Sequence, residues 1–209
     1  MIHANFVHLL TTQMKKHRFL LSLPLVILSF LLLPVLADGQ TWQWSKQLGS
    51  AQDDYAHDIV TDASGNMYTT GSFNGTLNFG GTTLTSSNED MFVAKYSPAG
   101  NLIWVVKSGG TGDASGKRID VDQWGNIYVG GLYNAAFTLG TTNITDSYDM
   151  FYAKFSPNGT VKWVRNYNST SGLYLNDMKV SRNGKIHACG KFYGTMVIGG
   201  TTLFASNAY

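Results

Sequence analysis

The sequence predicts an all-β protein in which small antiparallel sheets repeat along the chain. Three observations lead to this prediction: landmark residues recur at a nearly constant spacing, short runs of β-branched and aromatic residues alternate with glycine-containing turns, and no stretch after residue 40 keeps an apolar helical period. Of 209 residues 44% are hydrophobic and only 13% are charged, which excludes a disordered tail. The single Cys excludes an internal disulfide framework and any multi-cysteine metal site.

The N-terminal segment has the features of an export signal. A basic stretch at residues 14–18 precedes an uncharged apolar run at residues 19–36, and the small residues Ala37 and Gly39 follow. We therefore expect residues 1–40 to be a leader with a signal-peptide helix, with Met14 as an alternative start. A permanent membrane anchor is the rival interpretation, and Pro34 beside a small-residue cleavage site argues against it.

Removing this segment changes the charge of the chain. Lys15, Lys16 and Arg18 are three of 15 basic residues and Asp38 is one of 13 acidic residues, so 12 of each remain from residue 40 onward. A neutral chain lacks the basic surplus that nucleic acid or an anionic membrane surface attracts. We expect no nucleic-acid partner and, after signal cleavage, no stable membrane span.

The remaining chain repeats itself. Trp44, Trp104 and Trp163 lie 60 and 59 residues apart, and DMFVAKYSPAG at 90–100 returns as DMFYAKFSPNG at 149–159. A turn sequence recurs in the same step as DASGN, DQWGN and SRNGK, at residues 62–66, 122–126 and 181–185. Agreement at so many offsets indicates tandem units.

Each unit contains four strand-like runs, which in the first unit are residues 58–62, 66–73, 91–97 and 102–107. Four antiparallel strands per repeated unit are typical of β-propeller blades. The prediction is two full repeats and part of a third, arranged as follows: 41–48, the outer strand of the closing blade; 49–107, repeat 1; 108–166, repeat 2; and 167–209, partial repeat 3. The three tryptophans are expected to pack between blades, and a β-solenoid or stacked sandwiches remain alternatives.

The repeats resemble the SBBP-type (seven-bladed β-propeller) repeats of secreted bacterial proteins. The resemblance is carried by DASGNMYTTGSF, FGGTTLTS and DMFVAKYSPAGNLIWVVK in repeat 1 and their counterparts in repeat 2, and it weakens in repeat 3. It implies an exported, often cell-surface propeller with a C-terminal sorting domain, and it implies no established catalytic residues. Because repeat 3 stops before its third strand, we expect the chain to be an N-terminal fragment.

Tight turns at two joints of each unit place the longer connections together on the opposite face. These connections include the insertions 74–89, 134–148 and 194–209, and loops held by a rigid scaffold are where binding residues concentrate. The predicted binding-face residues are Asp53, Asp54, Tyr55, Asp113, Lys117, Arg118 and Tyr174. Solvated loop polarity is the alternative interpretation.

Other motifs give no catalytic, cofactor or metal site. Residues 110–118 lack the glycine and hydroxyl positions of a phosphate loop, and residues 120–125 fit a hairpin turn better than a calcium loop because Trp124 occupies a ligand position. His57 has Lys117 as its register mate, so it belongs to no repeated acid–base site. Cys189 is expected to be a buried small apolar residue rather than a nucleophile.

We therefore expect an exported, non-enzymatic propeller that binds or scaffolds an extracellular protein or glycan, located in the medium or on the cell surface. The first alternative is a secreted hydrolase or lyase whose active site lies partly in further blades. The second is a structural stalk for another domain. No cofactor is expected, and the oligomeric state is open.

Overall fold

The computed structural model describes the backbone of residues 5–8 and the whole of residues 43–146 and 149–205. Every regular element in these ranges is a β-strand, so the predicted all-β class is confirmed for them. They contain no helix long and apolar enough to cross a membrane. The predicted signal-peptide helix lies outside the described residues.

Two short strands precede the first repeat. Strand β1 is Asn5–His8 and strand β2 is Ser45–Leu48, and they pair antiparallel. Next to β2, the ring of Trp44 packs against Tyr96 of repeat 1 with 6.2 Å between centroids. The segment predicted as the outer strand of a closing blade therefore packs on the first blade, and the sequence does not predict its pairing with β1.

Repeat 1 forms one four-stranded antiparallel sheet. Its strands, in both chain and spatial order, are β3 (Asp54–Thr61), β4 (Met67–Asn78), β5 (Thr83–Tyr96) and β6 (Leu102–Lys107). The four strand-like runs of the sequence lie in these strands except for their end residues Asp62, Asn66 and Ser97. Such a sheet is consistent with a propeller blade.

Repeat 2 builds the same sheet and a small additional one. The four-stranded sheet contains β8 (Ala114–Val121), β9 (Ile127–Tyr133), β12 (Asp149–Phe155) and β13 (Val161–Tyr167); the small sheet contains β7 (Gly109–Gly110), β10 (Phe137–Leu139) and β11 (Thr142–Ile144). Repeat 3 contributes two hairpins, β14 (Leu173–Val180) with β15 (Ile186–Phe192) and β16 (Thr195–Ile198) with β17 (Thr201–Phe204).

The insertions, expected as projecting loops, are hairpins in all three repeats. In repeat 1 the insertion lengthens β4 and β5, which stay paired from Gly75 with Ser86 to Asn78 with Thr83. The reason is packing: Leu77 and Phe79 in repeat 1, like Phe137 in repeat 2, are almost fully buried against their own sheets. An apolar side chain gains free energy by burial that an exposed loop would forfeit.

The largest apolar core lies between the sheets of repeats 1 and 2. It joins Tyr68 and Val93 of the first sheet with Ile119 and Val129 of the second, and all four are fully buried or nearly so. The sheets therefore stack face to face, which is how propeller blades bury their surfaces.

Two tryptophans join neighbouring segments, one linking the stretch before repeat 1 to repeat 1 and the other linking repeat 1 to repeat 2. The Trp44 indole Nε1 donates to the Pro98 carbonyl oxygen at 3.0 Å, and Trp104 Nε1 donates to that of Pro157 at 3.1 Å. Each indole lies on a turn glycine, Gly100 or Gly159, where an added Cβ would come within 2.9 Å of the ring. The predicted packing of these two tryptophans between units is confirmed.

Candidate functional site

The first strands of the three repeats, β3, β8 and β14, lie next to one another. Carboxylates link them: Asp58 Oδ2 accepts the Ile119 backbone N–H at 2.9 Å, and Asp120 Oδ2 accepts that of Val180 at 2.6 Å. Because these bonds join neighbouring sheets rather than strands of one sheet, they hold the three first strands in a fixed row.

Each of these first strands bulges at the same register position. His57 in β3, Lys117 in β8 and Asn176 in β14 are each skipped where the strand pairs with its second strand. A bulge leaves one residue unpaired and re-aims its side chain, and bulges are frequent beside functional sites. The repeat of this feature in three strands makes the row of bulges the candidate site.

The bulge explains a glycine that recurs in the second strand of each repeat. A Cβ at Gly71 would overlap the Tyr55 carbonyl oxygen, and a Cβ at Gly131 would overlap that of Ser115. Gly190 faces the Tyr174 carbonyl oxygen in the same way. The bulged backbone approaches too closely for any side chain, so glycine is required.

We call the residues at and beside the bulges the inner rim. Its members are Tyr55, His57, Lys117, Arg118, Tyr174 and Asn176. Four of them, Tyr55, Lys117, Arg118 and Tyr174, belong to the predicted binding face, and the structure brings them together on adjacent strands.

His57 and Lys117 form a polar pair between repeats 1 and 2. The Lys117 ammonium lies 2.9 Å from His57 Nε2. Burial, followed by the charges of Lys117 and Arg118, lowers the His57 pKa to about 4, so the imidazole is neutral near pH 7 and accepts the hydrogen bond. Burial also lowers the pKa of Lys117, against the opposing effect of Glu89.

Arg118 connects repeat 2 to repeat 3 through the backbone. Its Nε donates to the Asn176 carbonyl oxygen and its Nη1 to the Lys117 carbonyl oxygen, each at 2.6 Å. A weaker ion pair joins Nε to Asp177 Oδ1 at 4.0 Å. Arg118 thus holds the bulges of β8 and β14 in place.

Two tyrosines of the inner rim are exposed. Tyr55 and Tyr174 occupy the same register position in repeats 1 and 3, and they are 46% and 55% exposed. Tyr55 stacks on the His57 ring, with centroids 5.6 Å apart and planes 2° from parallel. Ser115 takes this position in repeat 2 and is buried. The strands that carry these two tyrosines lie on either side of β8, which carries the cations of repeat 2.

Two predicted binding-face residues have structural partners instead. Asp54 is buried, and its Oδ2 accepts the Ser50 backbone N–H. Asp113 accepts from Asn134 Nδ2 at 2.6 Å and from the Glu89 backbone N–H at 3.1 Å. These carboxylates order the connections, while Asp53 is exposed to solvent.

The turn predicted at residues 120–125 is confirmed. Asp122 Oδ1 accepts the backbone N–H groups of Trp124 and Asn126, each at 2.9 Å, and Tyr128 donates to Oδ2 at 3.1 Å. Asp62 makes the same bonds in repeat 1. In the described ranges no group of three His, Cys, Asp or Glu residues could hold a metal.

The expectation that Cys189 is buried is wrong. It lies in the second strand of its repeat, as predicted, but is exposed, whereas its equivalent Thr70 is fully buried. The third strand covers this position in repeat 1, where Thr70 Oγ1 donates to Phe92 O at 2.8 Å. Among the described residues β15 pairs only with β14.

A cavity of about 730 Å³ lies between repeats 2 and 3. Its apolar lining includes Tyr152, Trp163 and Leu175, and Cys189 also borders it. Burial raises the pKa of Tyr152 to about 12. The cavity adjoins the uncovered side of β15.

The sequence pattern predicts neither His57 nor Asn176 as a binding residue. Both share the register position of Lys117. Because the three residue types differ, the sequence does not show that these positions share a bulge. The signal that points to them is the glycine repeated at positions 71, 131 and 190, since a glycine in a strand often marks a bulge or a close backbone approach.

Repeated four-stranded antiparallel sheets that stack face to face define the chain as a β-propeller repeat protein. Residues 43–77 match the family described as SBBP, Beta-propeller repeat. An uncharacterized WD repeat-containing protein, L264, of Acanthamoeba polyphaga mimivirus is 28% identical over 144 residues, which cover 58% of this chain and 10% of the viral protein. The chain thus matches only a small part of that relative.

Proposed function

We propose that this β-propeller repeat protein is an exported, non-enzymatic binding module that engages an extracellular glycan through its inner rim. The basic and apolar residues 14–36 support export, because they follow signal-peptide grammar. The propeller repeats supply the rigid scaffold on which such a rim is presented.

The observation that carries this proposal is the placement of Tyr55 and Tyr174. Equivalent positions of repeats 1 and 3 each expose about half of a large aromatic side chain, on the two strands that neighbour β8, the strand of the cation Lys117. Binding sites combine aromatic surface with a few placed polar groups that fix orientation. A glycan fits this composition because a sugar ring has an apolar face and a hydroxyl-bearing edge.

The hydrolase alternative receives less support from the rim. His57 contacts the amine of Lys117 rather than a carboxylate, so the rim pairs it with no acid. Catalysis by a positioned acid and base needs both groups within hydrogen-bonding reach of the reacting atoms.

A glycan array probed with the whole chain tests the proposal. Tyr55→Ala combined with Tyr174→Ala should reduce glycan affinity by about tenfold or more. Each change removes an aromatic surface that the bound glycan would cover, and such a contact contributes roughly 1 kcal/mol or more to binding. Trp124→Ala is the matched control, because Trp124 is 59% exposed in a turn at the other end of its sheet.

Equal binding by the wild type and the double tyrosine variant would refute the proposed rim. Capture of a protein instead of a glycan, lost in the same variant, would favour the protein-ligand alternative. Turnover of an arrayed glycan would favour the hydrolase.

A further inference from the structure

Lys117 is a half-buried cation that makes no direct ion pair with a described carboxylate, although the charge of Glu89 acts on it from a longer distance. Its ammonium has three N–H donors, and its hydrogen bond runs to His57 Nε2. Among the described residues no carboxylate oxygen lies within 4.0 Å of Lys117 Nζ. A half-buried charge that is neither paired nor fully hydrated is costly, and an anion placed beside it recovers that cost.

Lys107, in repeat 1, shows how this fold provides partners for a lysine with a structural role. Its Nζ contacts Asp90 Oδ2 at 2.5 Å and donates to the Ser108 carbonyl oxygen at 2.9 Å. Both partners belong to the protein. Lys117, by contrast, has no carboxylate within ion-pair distance among the described residues, so its ammonium is available to a ligand anion.

Arg118 does not take this role, although it is the adjacent cation. Its guanidinium already donates to two backbone carbonyl oxygens, those of Asn176 and Lys117, and it lies near Asp177. Arg118 is therefore a positioning residue, and Lys117 is the group free to meet an anion.

The surroundings of Lys117 restrict what that anion is attached to. Tyr55, which is 46% exposed, stacks on His57, and His57 in turn contacts Lys117, so the imidazole links a partly exposed aromatic ring to the ammonium. A ligand ring with an apolar face and a negative charge at its edge would complement the Tyr55 ring and the Lys117 ammonium. A uronic acid, which has a pyranose ring and a carboxylate, has this form.

We propose that the inner rim binds acidic glycans, with the carboxylate of a uronic acid at Lys117 and the sugar ring on Tyr55. This inference rests on the proposed function and narrows it to one class of glycan. The neutral imidazole of His57 adds to the site by orienting the ammonium without adding a further positive charge to those of Lys117 and Arg118.

The experiment compares hexagalacturonate with its fully methyl-esterified form by calorimetry on the whole chain. The ester keeps the sugar rings and removes the charge, so we expect it to bind about tenfold or more weakly, as loss of a charge-assisted hydrogen bond implies. Sodium acetate, which has the carboxylate without the sugar, should bind weaker still.

Lys117→Gln should abolish the preference for the acid over the ester. Lys162→Gln removes an exposed charge from β13 and should leave the preference intact. In the wild type, hexagalacturonate should also raise the His57 pKa measured by NMR, because a nearby anion favours the imidazolium. A role of Lys117 in folding alone would not produce that shift.

The outcomes separate this inference from the proposed function. Equal binding of acid and ester, both lost in Tyr55→Ala, overturns the acidic-glycan inference and keeps a glycan-binding rim. If neutral glycans on the array bind and hexagalacturonate does not, the acidic-glycan inference is likewise overturned and a glycan-binding rim is kept. Absence of any glycan binding refutes both.

Discussion

At the residue scale, the pair of His57 and Lys117 is the most informative contact. Its bulged positions place an imidazole and an ammonium 2.9 Å apart, which is stable only while His57 is neutral. Protonation would bring two positive charges together, with Arg118 as a third nearby. The pair should therefore respond to pH.

We predict that acid weakens the folded protein through His57. Its pKa is about 4 in the folded state and 6.5 ordinarily, so between these values the unfolded chain binds a proton that the folded chain does not. Stability must fall as pH decreases through this window. Thermal unfolding measured from pH 7 to about pH 4 should show a larger loss for the wild type than for His57→Gln.

His187→Gln is the control, since it removes an exposed histidine of β15. This variant should keep the pH dependence of the wild type. Parallel curves for the wild type and His57→Gln would mean that the imidazole is not held neutral by its neighbours.

The sequence could identify rim residues but not separate binding from structural roles. Lys117, Tyr55 and Asp54 look alike as polar or aromatic residues of a connection. Only the folded chain shows that Asp54 is buried and accepts the Ser50 N–H, while Tyr55 is exposed. Burial and hydrogen-bond partners depend on contacts between distant segments, which spacing along the chain does not reveal.

At the element scale, the strands follow from local chemistry and the insertions do not. Alternating apolar residues and turn sequences such as DASGN suffice to place β3 to β6, because strand pairing in a meander is between sequence neighbours. The sequence predicts the insertions as projecting loops because tight turns occupy two joints of each unit and leave the longer connections on the opposite face. Their few apolar residues, among them Leu77 and Phe137, fold them onto the sheets instead.

The tryptophan contact between units makes a prediction about element packing. Trp104→Phe keeps an aromatic ring on Gly159 but removes the hydrogen bond to the Pro157 carbonyl oxygen. We expect the free energy of unfolding to fall by about 1 kcal/mol, measured by urea denaturation. Trp124→Phe, at an exposed turn, should change it by less than about 0.5 kcal/mol.

Equal stability of the two variants would show that the outer-edge contact contributes nothing. A much larger loss in Trp104→Phe, accompanied by a changed urea dependence, would instead indicate that repeats 1 and 2 come apart.

At the scale of the whole molecule, function depends on how the repeats stack. The inner rim exists only because β3, β8 and β14 lie side by side, and its residues are about 60 positions apart in sequence. The repeat spacing could predict equivalent positions and a β-propeller class. It could not predict the shared bulge, which arises from the close approach of two strands within each sheet.

The face-to-face stacking of repeats 1 and 2 also positions a pair of buried serines. Ser72 of β4 and Ser115 of β8 have their Oγ atoms 3.0 Å apart, and both are almost fully buried. Cysteines at these positions would come close enough for an S–S bond of about 2.05 Å after small side-chain rotations.

Disulfide formation in Ser72→Cys/Ser115→Cys, with Cys189→Ser in the same chain, tests this stacking most directly. We expect a cross-link, detected by mass spectrometry after alkylation without reductant, and a raised melting temperature. Ser64→Cys/Ser115→Cys, with one thiol at the far end of the first sheet, should not link. Full alkylation of both thiols in the Ser72 and Ser115 pair under the same oxidant would contradict the stacking of the blades and the rim that depends on it.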